Sequence, residues 1–175
     1  MSQGESLSVM VGGASREELS ELLSGRGIQL NEHARTLLEH PCFDAREPER
    51  VEVLRRSLAE LGLTEGGTLP EIFAAVRDRG FAPLPPDAGP YLRLALVDQE
   101  QAPDSVLSGG RAPTGAVHVL TPPLSADDEY PKGFYLRVVD GVTWLRGYRC
   151  DDEYVCPADS IFALRAASRP PREDG

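Results

Sequence analysis

Residues 140 and 141 form an Asp-Gly pair between two segments of alternating side-chain character. Asp-Gly tolerates positive φ at both positions, as the type I′ turn of a two-residue β-hairpin requires. The pair therefore predicts a hairpin over residues 134–150. This one feature constrains the fold more than any other part of the chain, because a two-residue loop also sets the register of both strands.

The predicted register divides the hairpin into two chemically different faces, since side chains alternate along a strand. Leu136 and Leu145 share one face, which we expect to pack on helices. Four aromatic and cationic side chains share the opposite face: Tyr135, Arg137, Trp144 and Arg146.

The first half of the chain, residues 15–80, carries repeated helix signals. Two capping boxes and helix-compatible leucine spacing predict four helices, the third of them after Pro48. These helices are expected to begin near Ser15, Asn31, Pro48 and Thr68.

The second half, residues 91–164, favours strands. Leu92, Leu94 and Leu96 alternate with more polar residues, which predicts a half-buried strand. Shorter strands are expected near residues 116–121 and 160–164, and a possible first strand lies at residues 7–11.

Helices first and antiparallel strands afterwards predict an α+β fold, with N-terminal helices packed on a C-terminal antiparallel sheet. We expect a single domain over residues 1–166 and a disordered tail over 167–175. The stretch 98–115 is rich in Gly, Pro, Ser and Gln, and is expected to be a mobile surface loop or a lid.

Charge and composition disfavour some classes of function. The 175-residue chain has a formal net charge of −10, which disfavours a general nucleic-acid binder because phosphate neutralisation needs clustered cations. It has no apolar run long enough for a membrane helix. An odd number of cysteines and a start without a secretory pattern favour the cytoplasm.

Three copies of an aromatic-leucine-arginine triplet, at residues 91–93, 135–137 and 144–146, supply the candidate binding surface. Aromatic rings stack planar groups, and arginine grips carboxylate or phosphate bidentately. The alternative is that Arg–aromatic pairs only stabilise the sheet, at about 0.5–1 kcal/mol each. The candidate residues are Tyr91, Arg93, Tyr135, Arg137, Trp144 and Arg146.

Two Asp-Asp-Glu-Tyr segments, at residues 127–130 and 151–154, fall at the end of the hairpin opposite its turn. Their carboxylates could hold Mg²⁺, Mn²⁺ or Ca²⁺ and support a metal-dependent hydrolase or nuclease. The alternative is that the acids are solvated near Lys132 and Arg149. We assign no metal ligand.

Several catalytic motifs are missing from the sequence. The only lysine, Lys132, lies between Pro131 and Gly133, so the chain has no phosphate-binding loop. Residues 15–38 fit a helix-turn-helix in outline, but Glu32 and Glu39 would repel a phosphate backbone. We expect no catalytic residue and no cofactor.

Residues 131–150, with 27–34 and 89–96, resemble a group of small uncharacterised bacterial proteins that are sometimes labelled "helicase". The resemblance implies a bacterial origin and a shared hairpin, and it brings no catalytic residue.

The sequence thus favours a cytoplasmic, non-enzymatic binding or accessory protein. Its Arg/aromatic sheet face would contact a protein partner or a small anionic ligand. The alternatives are the metal-dependent hydrolase or nuclease, and a nucleic-acid-binding accessory protein.

Overall fold

The structure, a computed structural model, describes residues 7–44, 46–96, 116–125, 127, 129–149 and 153–167. The predicted loop at 98–115 lies outside the described residues, as does all but the first residue of the predicted tail. The α-helices are α1 (Arg16–Gly25), α2 (Glu32–Leu38), α3 (Leu69–Asp78) and α4 (Ala88–Ala95). The strands are β1 (Leu7–Val11), β2 (Gln29–Leu30), β3 (Glu49–Ser57), β4 (Phe81–Ala82), β5 (Val117–Val119), β6 (Gly133–Val139), β7 (Val142–Tyr148) and β8 (Ile161–Ala166).

The eight strands among the described residues form one mixed sheet in the order β1-β3-β8-β5-β6-β7-β2, with β4 paired to β8. β2 runs parallel to β7 and β5 parallel to β8, while the other pairs are antiparallel. The sheet curls strongly into half a barrel. The fold is α+β, but the predicted separation of N-terminal helices from a C-terminal antiparallel sheet is wrong. Strands from both halves of the chain are interleaved.

The hairpin is confirmed in detail. β6 and β7 pair with Tyr135 opposite Arg146 and Arg137 opposite Trp144. Asp140 has φ of 51° and Gly141 has φ of 80°, so both turn residues lie in the left-handed region. The local turn chemistry and the observed register therefore agree.

The predicted helix after Pro48 is wrong, because residues 49–57 form β3. Val51 and Val53 are buried, while Arg50 and Glu52, which alternate with them, are exposed. This period of two belongs to a strand, and β-branched valines favour it. Leu58 and Leu61, which completed the apparent helical spacing, lie beyond the end of the strand.

The predicted strand at residues 91–96 is also wrong, because these residues complete α4 and its C-cap. Leu92 and Leu96 are both buried, and their separation by four residues places them on one side of a helix. Pro90 is compatible with the helix because it lies in the first turn, where backbone N–H groups have no intrahelical acceptor.

The other predicted helices are present, and their caps are formed as expected. Ser15 with Glu18 and Thr68 with Glu71 make complete capping boxes. Asn31 caps α2 by accepting a hydrogen bond from the Ala34 amide. The possible first strand at residues 7–11 is β1.

Hydrophobic cores lie on both faces of the sheet. One face, which we call the helix-covered face, packs Leu136 and Leu145 with buried residues of α1, α2 and α4. On the other face, Phe162 and Leu164 pack with Ile72 of α3. α3 covers this second face at β8 and β3. The hairpin strands β6 and β7 lie farther along the same sheet, to one side of α3.

Candidate functional site

The hairpin face, defined as Tyr135, Arg137, Trp144 and Arg146, lies on the sheet face opposite α4. The register of β6 and β7 and the alternation of side chains place all four there. The structure therefore brings together four of the six residues that the sequence singled out.

Arg146 lies over the ring of Trp144, with its guanidinium carbon 4.2 Å from the ring centroid. This is a cation–π contact within one strand, between residues two apart. Both side chains are partly exposed. The Nε atom of Arg146 is buried and has no hydrogen-bond partner among the described residues. Trp144 and Arg146 thus expose part of an aromatic ring and part of a cation side by side on the surface.

The hairpin face continues across the sheet as a row of aromatic rings. His118 of β5 pairs with Tyr135 on one side and with Phe162 of β8 on the other. The imidazole stacks on Phe162 with a centroid distance of 4.7 Å, and it meets Tyr148 edge-on at 5.4 Å. Sequence reasoning missed His118 and Tyr148, because their positions depend on strand order rather than on local pattern.

His118 is a neutral member of this row. Burial lowers its pKa from 6.5 to about 4, and a hydrogen bond to the backbone of Ile161 opposes part of that effect. Its Nδ1 atom has no hydrogen-bond partner within the part of the chain that the structure describes. His118 therefore adds no charge to this row of rings at neutral pH.

Arg137 does not display its guanidinium to solvent. It is on the predicted face, but only 1% of the residue is exposed, which makes it one of the largest fully buried side chains. The predicted binding surface therefore lacks an exposed guanidinium at this residue.

Arg93 is wrongly placed by the sequence prediction, because it belongs to α4 and only 2% of it is exposed. Its Nη1 donates to the carbonyl of Trp144 at 3.1 Å and approaches that of Arg137 at 3.5 Å. Its Nη2 donates to the carbonyl of Leu96 at 2.7 Å. Burial lowers the pKa of Arg93 to about 10, which leaves it charged at neutral pH. Arg93 thus joins α4 to the hairpin from the helix-covered face.

Tyr91 is likewise separate from the hairpin face. Its hydroxyl accepts a hydrogen bond from the Ala14 amide at 3.1 Å and lies 3.4 Å from the Ala14 carbonyl. Burial raises the pKa of this hydroxyl. Tyr91 therefore holds the chain before α1 against α4, away from the hairpin face.

The acidic segments are described only in part, since Asp128, Asp151 and Asp152 lie outside the described residues. Glu129 accepts a hydrogen bond from Arg149 at 2.8 Å, both side chains being well exposed. Among the described residues, no group of three or more His, Cys, Asp or Glu side chains could hold a metal ion.

A second feature, which sequence reasoning missed, is a cavity of about 400 Å³ between β3, β8 and the turn before α4. Arg46, Glu49, Asp87 and Arg165 contribute its charged lining. Arg46 and Glu49 are three residues apart, but Asp87 and Arg165 are distant from them in sequence. The two arginines lie in segments without a recognisable motif. Only the topology brings them together.

Comparison with known protein families, curated proteins and solved structures gives no match to this chain. Within the described part of the chain, no helix has the length and apolar character that crossing a membrane requires.

Proposed function

We propose that this is a cytoplasmic, non-enzymatic binding protein whose hairpin face contacts an anionic group next to a planar one, carried by a small ligand or by a partner protein. The observation that carries this proposal is the Trp144–Arg146 pair. A partly exposed indole and a partly exposed guanidinium lie 4.2 Å apart, ring centroid to guanidinium carbon, on strand β7 of the sheet.

The chemistry of the pair matches this ligand class. A guanidinium recognises carboxylate and phosphate through parallel N–H donors, and an indole offers a stacking plane at low entropic cost. Recognition by these groups requires no proton transfer, so the proposal is one of binding.

The register supports preorganisation. Trp144 and Arg146 are in β7, which pairs with β6 over its full length and with β2 beside Trp144. Backbone pairing on both sides of Trp144 fixes the main chain there, and the contact with Arg146 restricts the ring. Such preorganisation lowers the entropic cost of binding.

Trp144 is the only tryptophan in the chain, so its indole N–H gives one assignable signal in a ¹H–¹⁵N NMR spectrum. Adenosine monophosphate is the probe, because it combines a planar base with a phosphate. Adenosine and inorganic phosphate are the controls that each lack one group. We expect a saturable shift of the Trp144 signal with adenosine monophosphate and much smaller shifts with either control.

The decisive variant is Arg146→Gln, which removes the cation and keeps a polar side chain. Loss of a bidentate contact should weaken binding by about tenfold or more. Arg77→Gln is the matched control, since the Arg77 side chain is 75% exposed on α3. Equal binding by wild type and Arg146→Gln would overturn the proposal.

A further inference from the structure

The cavity beside β3 and β8 is independent of the hairpin face. Glu49 and Arg165 are on the helix-covered side of the sheet. Each is two residues along its strand from a buried residue on that side, Val51 in β3 and Ala163 in β8. A cavity of about 400 Å³ is within the size range of small-molecule sites. It is lined by both charged and apolar groups.

Hydrogen bonds and an ion pair hold the Arg46 side chain in the wall of the cavity. Its Nε and Nη2 donate to the two oxygens of Asp87 at 2.8 and 3.0 Å. Its Nη1 lies 3.0 Å from Oε2 of Glu49 and also donates to the Glu47 carbonyl. The Asp87 residue is only 3% exposed. Arg46 and Asp87 therefore satisfy each other and leave little capacity for a ligand.

Arg165 is different, because it is anchored by one nitrogen only. Its Nε donates to the Pro83 carbonyl at 3.0 Å. Its Nη1 is 3.9 Å from Oε1 of Glu49, which is beyond hydrogen-bond distance. Its Nη groups thus make no hydrogen bond to the described residues, although the side chain lines the cavity. This end of the guanidinium is oriented and available to a carboxylate.

Glu49 supplies the complementary charge. Its Oε2 is paired with Arg46, whereas its Oε1 has, among the described residues, only the distant contact with Arg165. A ligand ammonium could donate to Oε1 while the ligand carboxylate binds Arg165. The charged lining comprises two guanidiniums, of Arg46 and Arg165, and two carboxylates, of Glu49 and Asp87. A ligand that carries both charges therefore matches it better than a bare anion or a bare cation.

The remaining wall is apolar. Pro85, Pro86 and Cys42 line it, and Cys42 packs against the core of the helix-covered face. Such a wall suits a short aliphatic group, because its burial is favourable and needs no polar partner.

We propose that this cavity binds a zwitterionic small molecule of the α-amino-acid class, with its carboxylate on Arg165, its ammonium on Glu49 and a short apolar side chain against the prolines. Arg165 and Glu49 lie next to each other, carry opposite charges and each keep hydrogen-bonding capacity. They therefore favour a zwitterion over a simple acid or a simple amine.

Alkylation of Cys42 by N-ethylmaleimide, followed by peptide mass spectrometry, reads out occupancy at the cavity itself. Burial raises the pKa of this thiol to about 11, so little thiolate is present near pH 7.5 and the alkylation is slow enough to time. Cys156 is buried in the other core and serves as an internal reference.

The probe is L-leucine, compared with 4-methylpentanoate, which lacks the amine, and 3-methylbutylamine, which lacks the carboxylate. At about ten times its dissociation constant, L-leucine should slow alkylation of Cys42 roughly tenfold by mass action and leave Cys156 unchanged. The two analogues should give little protection. This series uses the wild-type protein, so it does not depend on a variant that folds.

Glu49→Gln and Arg165→Gln should each abolish the protection by L-leucine, and Glu65→Gln, an exposed carboxylate elsewhere, should not. Because Arg165 also holds the Pro83 carbonyl, Arg165→Lys is compared as a variant that keeps the charge. Equal protection by 4-methylpentanoate would overturn the zwitterion assignment. Absence of protection of Cys42 by all three compounds would overturn the site.

Discussion

Asn31 hydrogen-bonds both backbone polar groups of Gly147. The Asn31 Nδ2 donates to the Gly147 carbonyl at 3.0 Å, and its Oδ1 accepts from the Gly147 amide at 2.8 Å. The same Oδ1 also accepts from the Ala34 amide at 2.8 Å, which caps α2. A Cβ on residue 147 would lie 2.7 Å from the backbone carbon of His33, so only glycine permits this approach. One side chain thus caps a helix and completes the edge of β7 next to the hairpin face.

Replacing Asn31 should therefore destabilise the protein more than loss of an ordinary helix cap. Asn31→Ala removes three hydrogen bonds and leaves the Gly147 groups without their partner, so we expect a loss of about 2–3 kcal/mol in the free energy of unfolding. Asn31→Asp keeps the acceptor and loses the donor, and should cost less. Urea denaturation of both variants measures this, and equal costs for Ala and Asp would contradict the shared role.

Gly89 should not tolerate a side chain. A Cβ there would lie 2.3 Å from Cδ2 of Phe134, which forms the contact between α4 and β6. Overpacking of this kind should cost Gly89→Ala about 2–3 kcal/mol. Gly25→Ala at the end of α1 is the control, because a Cβ there meets no atom within 4 Å.

A second substitution separates steric conflict from a backbone effect at Gly89. Shortening the ring in Gly89→Ala/Phe134→Leu should recover part of the lost stability. Thermal unfolding of the single and double variants tests this coupling. A double variant whose loss equals the sum of the single losses would show that the two residues do not clash.

Arg93 and Arg146 should differ in what they contribute to stability, although each is the arginine of an aromatic-leucine-arginine triplet. Arg93→Met removes donors from three backbone carbonyls in a buried position, and we expect a loss of about 2–4 kcal/mol. Arg146→Gln removes a partly exposed cation–π contact and should cost at most about 1 kcal/mol. Chemical denaturation ranks the two variants, and the reverse ranking would contradict the assigned roles.

Burial of neutral His118 predicts a pH dependence of stability. Its pKa is about 4 in the folded protein and 6.5 when unfolded, so between these values the unfolded state binds more protons. Stability from this residue is thus fully present above pH 6.5 and falls as the pH drops towards 4, by up to about 3 kcal/mol.

The comparison of wild type with His118→Phe isolates this effect from the carboxylates, which titrate in the same range. Phe keeps the stack on Phe162 and cannot be protonated. We expect the stability difference between the two proteins to change between pH 7 and pH 4. Parallel profiles for wild type and His118→Phe would refute the burial argument.

The hairpin could be predicted in full because its information is local. The Asp140-Gly141 turn requires one backbone geometry, and the alternation of the flanking residues agrees with the resulting register. The capped helices were predictable for the same reason, since Ser15, Asn31 and Thr68 act on amides within three residues.

Residues 49–57 and 91–96 were assigned the wrong secondary structure because burial there depends on distant partners. Arg93 has the polarity of a surface residue, yet the carbonyls of β6 and β7 stabilise it in the interior. An alternating leucine pattern then resembles a strand although it belongs to a helix. The cavity residues Arg46 and Arg165 are brought together by strand order, which no local pattern reveals.

The central claim is that Trp144 and Arg146 form a recognition surface. Its most direct test is the titration of the Trp144 indole N–H signal with adenosine monophosphate in wild type and Arg146→Gln, at a pH where both are fully folded. The account predicts a saturable shift in the wild type and at least about tenfold weaker binding in the variant. Identical titration curves for the two proteins would contradict it.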